Sequence, residues 1–148
     1  MSPEEFKHKI TVTVRFNEVD MLGVCNNAVF ISYFEHARLQ YIKKADLFKG
    51  KNIFSGDRLF FVVRNEINYF DHACYDDRLN IYTRISFIKN SSFGFEHLVE
   101  LAGSNKIIAD GKGVIVQVDP STRKSIPLDK NFCDKILQFE GSVKILKK

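Results

Sequence analysis

The 148 residues make one domain, 1–148, long enough to bury a sizeable core. Apolar residues make up 45%, with fourteen Phe and no Trp, which excludes a disordered chain, and no apolar run is long enough for a membrane span. A net charge of +4 without a dense basic stripe excludes nucleic acid as the expected partner and leaves room for a basic patch that meets a ligand with several phosphates.

The N-terminus, MSPEEFKHK, is charged and carries no apolar signal region. Cys25, Cys74 and Cys133 are scattered, with neither zinc nor disulfide spacing, so a reducing cytoplasm is the expected setting. Residues 9–16 alternate strictly, with Ile10, Val12, Val14 and Phe16 on one face, and predict a half-buried strand. From Asn27 to Phe48 the period lengthens. Phe30, Tyr33, Phe34, Ala37, Tyr41, Ala45 and Phe48 recur at three and four, predicting a long amphipathic helix that stops at Gly50. His36 falls on its polar side.

A loop, 51–58, leads to a strand over 59–70. His72, Cys74 and Asp76 in the following turn match no zinc pattern, so no metal is expected. Residues 79–88 alternate, with Leu79, Ile81, Thr83, Ile85 and Phe87 on one side. Lys89–Ser92 is a short connection to a strand over 93–102, and Gly103–Asn105 turns the chain into a last strand over 106–118. Gly111 and Gly113 predict a bulge or a close backbone approach there. Asp129 caps a short terminal helix with Phe132, Cys133, Ile136 and Leu137 inward, and the final VKILKK is frayed or lies at the surface. A strand, a long helix and four more strands with short turns read as α+β with an antiparallel sheet.

The chemistry concentrates between Arg15 and Arg38, RFNEVDMLGVCNNAVFISYFEHAR. A strand delivers Asp20, and Asn26 and Asn27 open the helix, whose free N–H groups favour an anion or a polarised carbonyl. A carboxylate beside such donors is what acyl transfer needs. The same residue types also make ordinary turns. Cys25 lies in this turn with no local His to activate it and reads as packing.

The run Asp20-Met21-Leu22-Gly23, Asn26-Asn27-Ala28-Val29-Phe30, Tyr33-Phe34-Glu35 and Arg38 resembles the signature of the 4-hydroxybenzoyl-CoA thioesterase-like hotdog family, and the likeness continues to about Pro127. That family often has His after the Gly, where this chain has Val24 and then Cys25. The resemblance implies a hotdog fold, an antiparallel sheet wrapped around the long helix. It implies hydrolysis of an acyl- or aroyl-CoA thioester, with Asp20 as nucleophile or general base and the Asn27 backbone N–H as oxyanion donor, its side chain capping the helix. Gly23 and Asn26 join the substrate site, and Lys89, Ser91 and Ser92 are placed to meet the coenzyme nucleotide, with Arg123 and Lys124 as weaker candidates. Glu35 and Arg38 read as a structural pair at i, i+3. Coenzyme A is part of the substrate, and no cofactor is expected. The protein is expected to be a homodimer or a dimer of dimers, with the acyl group between subunits and Phe16, Phe61 and Tyr69 as candidate lining. A hotdog dimer that binds an acyl thioester or lipid without hydrolysing it is the alternative, and a thioesterase acting on an acyl-carrier protein is a third reading.

Overall fold

The computed structural model describes residues 1–48 and 58–146. In chain order it contains β1 (His8–Thr13), α1 (Val29–Lys44), β2 (Leu59–Tyr69), β3 (Arg78–Ile88), β4 (Ser92–Leu101), β5 (Ile107–Val118), α2 (Lys130–Glu140) and β6 (Lys144–Ile145). The long strands run antiparallel in the order β1-β3-β4-β5-β2, and the short β6 lies parallel to the end of β3. The sheet curls around α1, which is the hotdog arrangement.

β1 turns His8, Ile10 and Val12 inward, and Val14, just beyond it, is buried as well. It ends at Thr13, short of the expected boundary, because the chain enters a 3-10 turn over Phe16–Glu18. Phe16 therefore leaves the apolar face and is 79% exposed. α1 buries Phe30, Tyr33, Phe34, Ala37 and Tyr41 as its periodicity predicts. It stops at Lys44 because Asp46 adopts a left-handed φ of 56°. The Ala45 N–H still reaches the Tyr41 carbonyl, and the Leu47 N–H reaches that of Ile42. Gly50, the expected stop, lies outside the described residues, as does most of the 51–58 loop.

Gly111 and Gly113 are seats for α1. A Cβ at Gly111 would lie 2.5 Å from the Phe34 ring, and one at Gly113 would strike the Arg38 guanidinium. Close approach is thus the reason for both glycines. The register shifts lie elsewhere, between Val62 and Arg64 in β2, between Ile85 and Phe87 in β3, and between Val99 and Glu100 in β4, opposite Ala109 and Ile107 of β5. The second shift breaks the alternation: Leu79, Ile81, Thr83 and Ile85 face the core, but then Ile88 is buried instead of Phe87.

α2 begins at Asp129, whose carboxylate accepts from the Phe132 N–H at 2.7 Å. Phe132 and Ile136 are buried, with Phe132 packed among Phe48, Phe60 and Phe93. Beyond α2 the tail adds to the sheet. β1 covers the outer side of β3 from Arg78 to Thr83, and β6 covers Phe87 and Ile88. Between them the Ile85 N–H donates to Glu140 Oε2 at 3.1 Å, and the Tyr41 hydroxyl donates to the same oxygen. A carboxylate from α2 fills the break in the ladder.

Candidate active site

Asp20 sits at the start of a tight hairpin. Val19 bridges Cys25, the Asp20 N–H donates to the Val24 carbonyl at 2.9 Å, and the Gly23 N–H donates to the Asp20 carbonyl at 3.0 Å. Gly23 has φ of 79°, with open space where a Cβ would be, so the glycine serves backbone conformation and not packing. Asp20 Oδ1 accepts from the Leu22 N–H at 2.8 Å. Its Oδ2 has no protein partner among the described residues, and the side chain is exposed. The hairpin is sewn to the β2–β3 connection by the Cys25 N–H to the Ala73 carbonyl at 2.7 Å and by a Val24–Cys74 bridge.

The start of α1 follows at once. The Cys25 N–H is taken by Ala73, the Asn26 N–H by the Glu18 carbonyl, the Ala28 N–H by Asn26 Oδ1 at 3.0 Å, and the Val29 N–H by the Asn26 carbonyl at 2.9 Å. Among the described residues the Asn27 N–H alone in this stretch has no acceptor, and Asn27 is exposed. The side chain that organises the helix entry is therefore Asn26 and not Asn27, correcting the sequence reading. The helix proper opens only at Val29, with Ala28 in the cap position and no side-chain cap bond, and the Asn26 bond closes the turn that leads into it.

A buried acid supports the hairpin from below. Glu18 Oε1 accepts from the Arg15 N–H at 2.8 Å and from the Tyr33 hydroxyl at 2.9 Å, while the Arg15 guanidinium meets Oε2 at 3.4 Å. Burial pushes the Glu18 carboxyl up, but the Arg15 N–H, the Tyr33 hydroxyl and the Arg15 charge together bring it below the usual range. Cys25 is 4% exposed, with Sγ 3.8 Å from the Tyr33 oxygen. Burial holds its thiol above the ordinary value, against the Tyr33 bond and with Glu18 and Asp20 adding to the rise. A protonated thiol here packs the hairpin, as expected. Glu18 escaped sequence reading, and so did its bond to Tyr33, which reads only as an apolar-face and motif residue. The only trace of Glu18 is the Arg15–Glu18 spacing of i, i+3 that closes the 3-10 turn.

Arg38 departs from its expected pairing. Glu35 is exposed, whereas Arg38 is 4% exposed and points into the sheet. Its Nε donates to His97 Nε2 at 3.1 Å, and an Nη donates to Asn65 Oδ1 at 3.0 Å. Gly113 leaves the room for this, which outcompetes a solvent-exposed i, i+3 pair. Burial brings the guanidinium down to about 10, opposed by the charge of Glu35. His97 is fully buried, and burial together with the Arg38 charge keeps its imidazole neutral. With Nε2 accepting, Nδ1 carries the proton and donates to Thr83 Oγ1 at 3.0 Å.

The remaining predicted site residues lie elsewhere. Lys89, Ser91 and Ser92 form the β3–β4 turn, closed by the Lys89 N–H to the Ser92 carbonyl at 2.7 Å. Lys89 is exposed beside a groove of about 360 Å³ that also takes in Arg64 and Lys112. The Asp20 hairpin abuts the other end of β3, so the length of that strand, about 35 Å, separates the two sets within one chain. Arg123 lies over the Phe61 ring at 5.6 Å, and it and Lys124 are exposed.

A family model described as the thioesterase-like superfamily matches residues 14–136, from the hairpin through most of α2. The chain belongs to that superfamily. Among superfamily relatives, the acyl-CoA thioester hydrolase YbgC of Escherichia coli O157:H7 is 27% identical over 86% of this chain and 93% of its own. The long-chain acyl-CoA thioesterase FadM of E. coli K12 is 25% identical over 86% and 96%. Among solved structures, a thioesterase from Thermus thermophilus complexed with coenzyme A and Zn superposes with a TM-score of 0.81. It is 32% identical, covering 94% of this chain and 98% of that one.

Proposed function

We propose that this protein hydrolyses acyl-CoA thioesters, with the carbonyl oxygen on the Asn27 N–H and Asp20 as nucleophile or general base. Superfamily membership and relatives named as acyl-CoA thioester hydrolases support the reaction. The observation that carries the residue assignment is local. One carboxylate oxygen and one backbone N–H are left over, at neighbouring points of a hairpin–helix junction in which the adjoining N–H groups are used. In the general-base route Asp20 takes a proton from water as the water oxygen attacks the carbonyl carbon. The Asn27 N–H holds the oxyanion, and the proton passes to the departing thiolate of coenzyme A. In the nucleophilic route Asp20 attacks the carbonyl carbon and expels the thiolate of coenzyme A, giving an acyl anhydride that water then opens to the free acid and the Asp20 carboxylate. Gly23 and Asn26 act by shaping the turn and the helix entry.

Lys89, Ser91 and Ser92 serve the nucleotide end of the substrate across a subunit interface. β2 is an edge strand, and antiparallel pairing of two β2 edges would bring the Lys89–Ser92 turn of one copy to the same end as Asp20 of the other. The homodimer is the unit of this reading. No helix among the described residues is long and apolar enough to cross a membrane. The three free cysteines favour a cytoplasmic setting.

Asp20→Asn tests the assignment. It keeps the acceptor for the Leu22 N–H and removes the charge. We expect kcat to fall about 10²-fold or more, with thermal melting preserved. Turnover near the wild-type rate would remove Asp20 from the chemistry. A wild-type protein that binds acyl-CoA but releases no thiol would instead favour a non-hydrolysing binder, and turnover only of acyl-carrier-protein thioesters would reassign the substrate.

A further inference from the structure

We infer that Tyr69 is a positioning residue for the oxyanion donor, its phenol clamping the peptide unit next to the Asn27 N–H; this rests on the hydrolytic reading above. Tyr69 ends β2, and its hydroxyl donates to the Asn27 carbonyl at 2.8 Å. Its ring meets Phe30 edge-on, with centroids 5.5 Å apart. Burial, with a smaller contribution from Cys25, raises the phenol, so it stays a donor.

The bond completes a set. The peptide joining Asn27 to Ala28 is held at both ends, its carbonyl by Tyr69 and its N–H by Asn26 Oδ1. The preceding peptide, which carries the Asn27 N–H, is held only through its carbonyl, by the Val29 N–H at 2.9 Å. With both planes fixed, the torsions at Asn27 are fixed, and the free N–H has one direction. The backbone alone does not do this. The turn bond ahead of α1, from the Phe30 N–H to the Asn27 carbonyl, is long at 3.4 Å. The phenol is the shorter contact on that carbonyl, and it comes from the sheet, outside the hairpin and helix. Preorganised donors are effective because they need no reorientation as charge develops.

Tyr69→Phe removes only the hydroxyl and keeps the ring on Phe30. We expect kcat to fall about tenfold, a fraction of the 10²–10³-fold that loss of a whole oxyanion donor costs, with KM within about twofold. A second readout needs no turnover. Affinity for a trifluoromethyl-ketone analogue of acyl-CoA, which develops an oxyanion, should fall about tenfold, while affinity for the thioether analogue that lacks a carbonyl should not move. A merely structural tyrosine would lower the melting temperature and leave both ratios at wild type, and that result overturns the inference. Asp20→Asn is run beside it. If Asp20→Asn is inactive and Tyr69→Phe is wild type in kcat and ketone affinity, this inference alone fails. If Asp20→Asn retains turnover, the hydrolytic assignment of Asp20 fails first.

Discussion

His97 is sealed from water beside a guanidinium, and the native state can hold it only as neutral imidazole. An unfolded chain protonates it near the ordinary value of about 6.5. The folded pKa is depressed, so its contribution to stability is complete above the unfolded value and is lost as pH falls below about 6.5. His8 is also depressed, by burial and then by the Lys44 charge, and adds to the same window. Each such group steepens the loss by up to about 1.4 kcal/mol per pH unit. Glu18 and Asp71, whose carboxyls are lowered, begin to cost stability only at more acid pH. Urea midpoints measured between pH 7.5 and 5 should therefore fall steadily below about 6.5. A flat profile would require a charged His97 in the native protein. This cluster shows where sequence reading stops. His97 falls within the strand predicted over 93–102, but nothing near it in the chain announced Arg38 as its partner. A Glu at i−3 looked closer to Arg38 than a histidine 59 positions away.

At the scale of elements, the long helix and the strands were legible because their periods, about 3.6 and 2, persist over many residues. What escaped were the places where the period is interrupted. The Ile85/Phe87 bulge, the left-handed Asp46 and the early end of β1 each depend on a neighbour or a local backbone turn that periodicity does not encode. The Asp20 hairpin was legible through its motif, while its support by Glu18 and Tyr33 was not, because that bond closes only after folding. α2 offers a test of local signal. Asp129 supplies its N-cap bond to Phe132 and also meets Arg58 at 2.9 Å. Asp129→Ala should cost about 1 kcal/mol, a fall in Tm of about 2–4 °C for a chain of this size, with kcat unchanged. A larger loss in scanning calorimetry would mean that the cap governs docking of the whole helix.

At the scale of the molecule, β2 is the exposed liability. Among the described residues its eleven positions form a free edge, and Phe61, Val62 and Val63 on it are 38%, 45% and 60% exposed. An edge so long and apolar invites strand pairing. Light scattering at micromolar concentration should report at least a dimer. Val62→Lys adds a cation beside Arg64, doubled across a two-fold axis, and should shift the mass toward monomer with loss of turnover. A wild-type monomer with full activity would break the link between assembly and a shared site.

The carboxylate that α2 lends to β3 bears on where this domain can be cut. A boundary drawn after Pro127, where the strand pattern is finished, would retain β1–β5 and every proposed site residue. It would also strand the Ile85 N–H and the Tyr41 hydroxyl without their acceptor, at about 1–3 kcal/mol each, and uncover the aromatic cluster that Phe132 closes. Residues 130–146 thus complete the edge of the sheet and close part of its core, although they follow it in sequence. Shortened versions for expression or domain fusion need Glu140, and a partner protein fused at the C-terminus is best joined beyond β6.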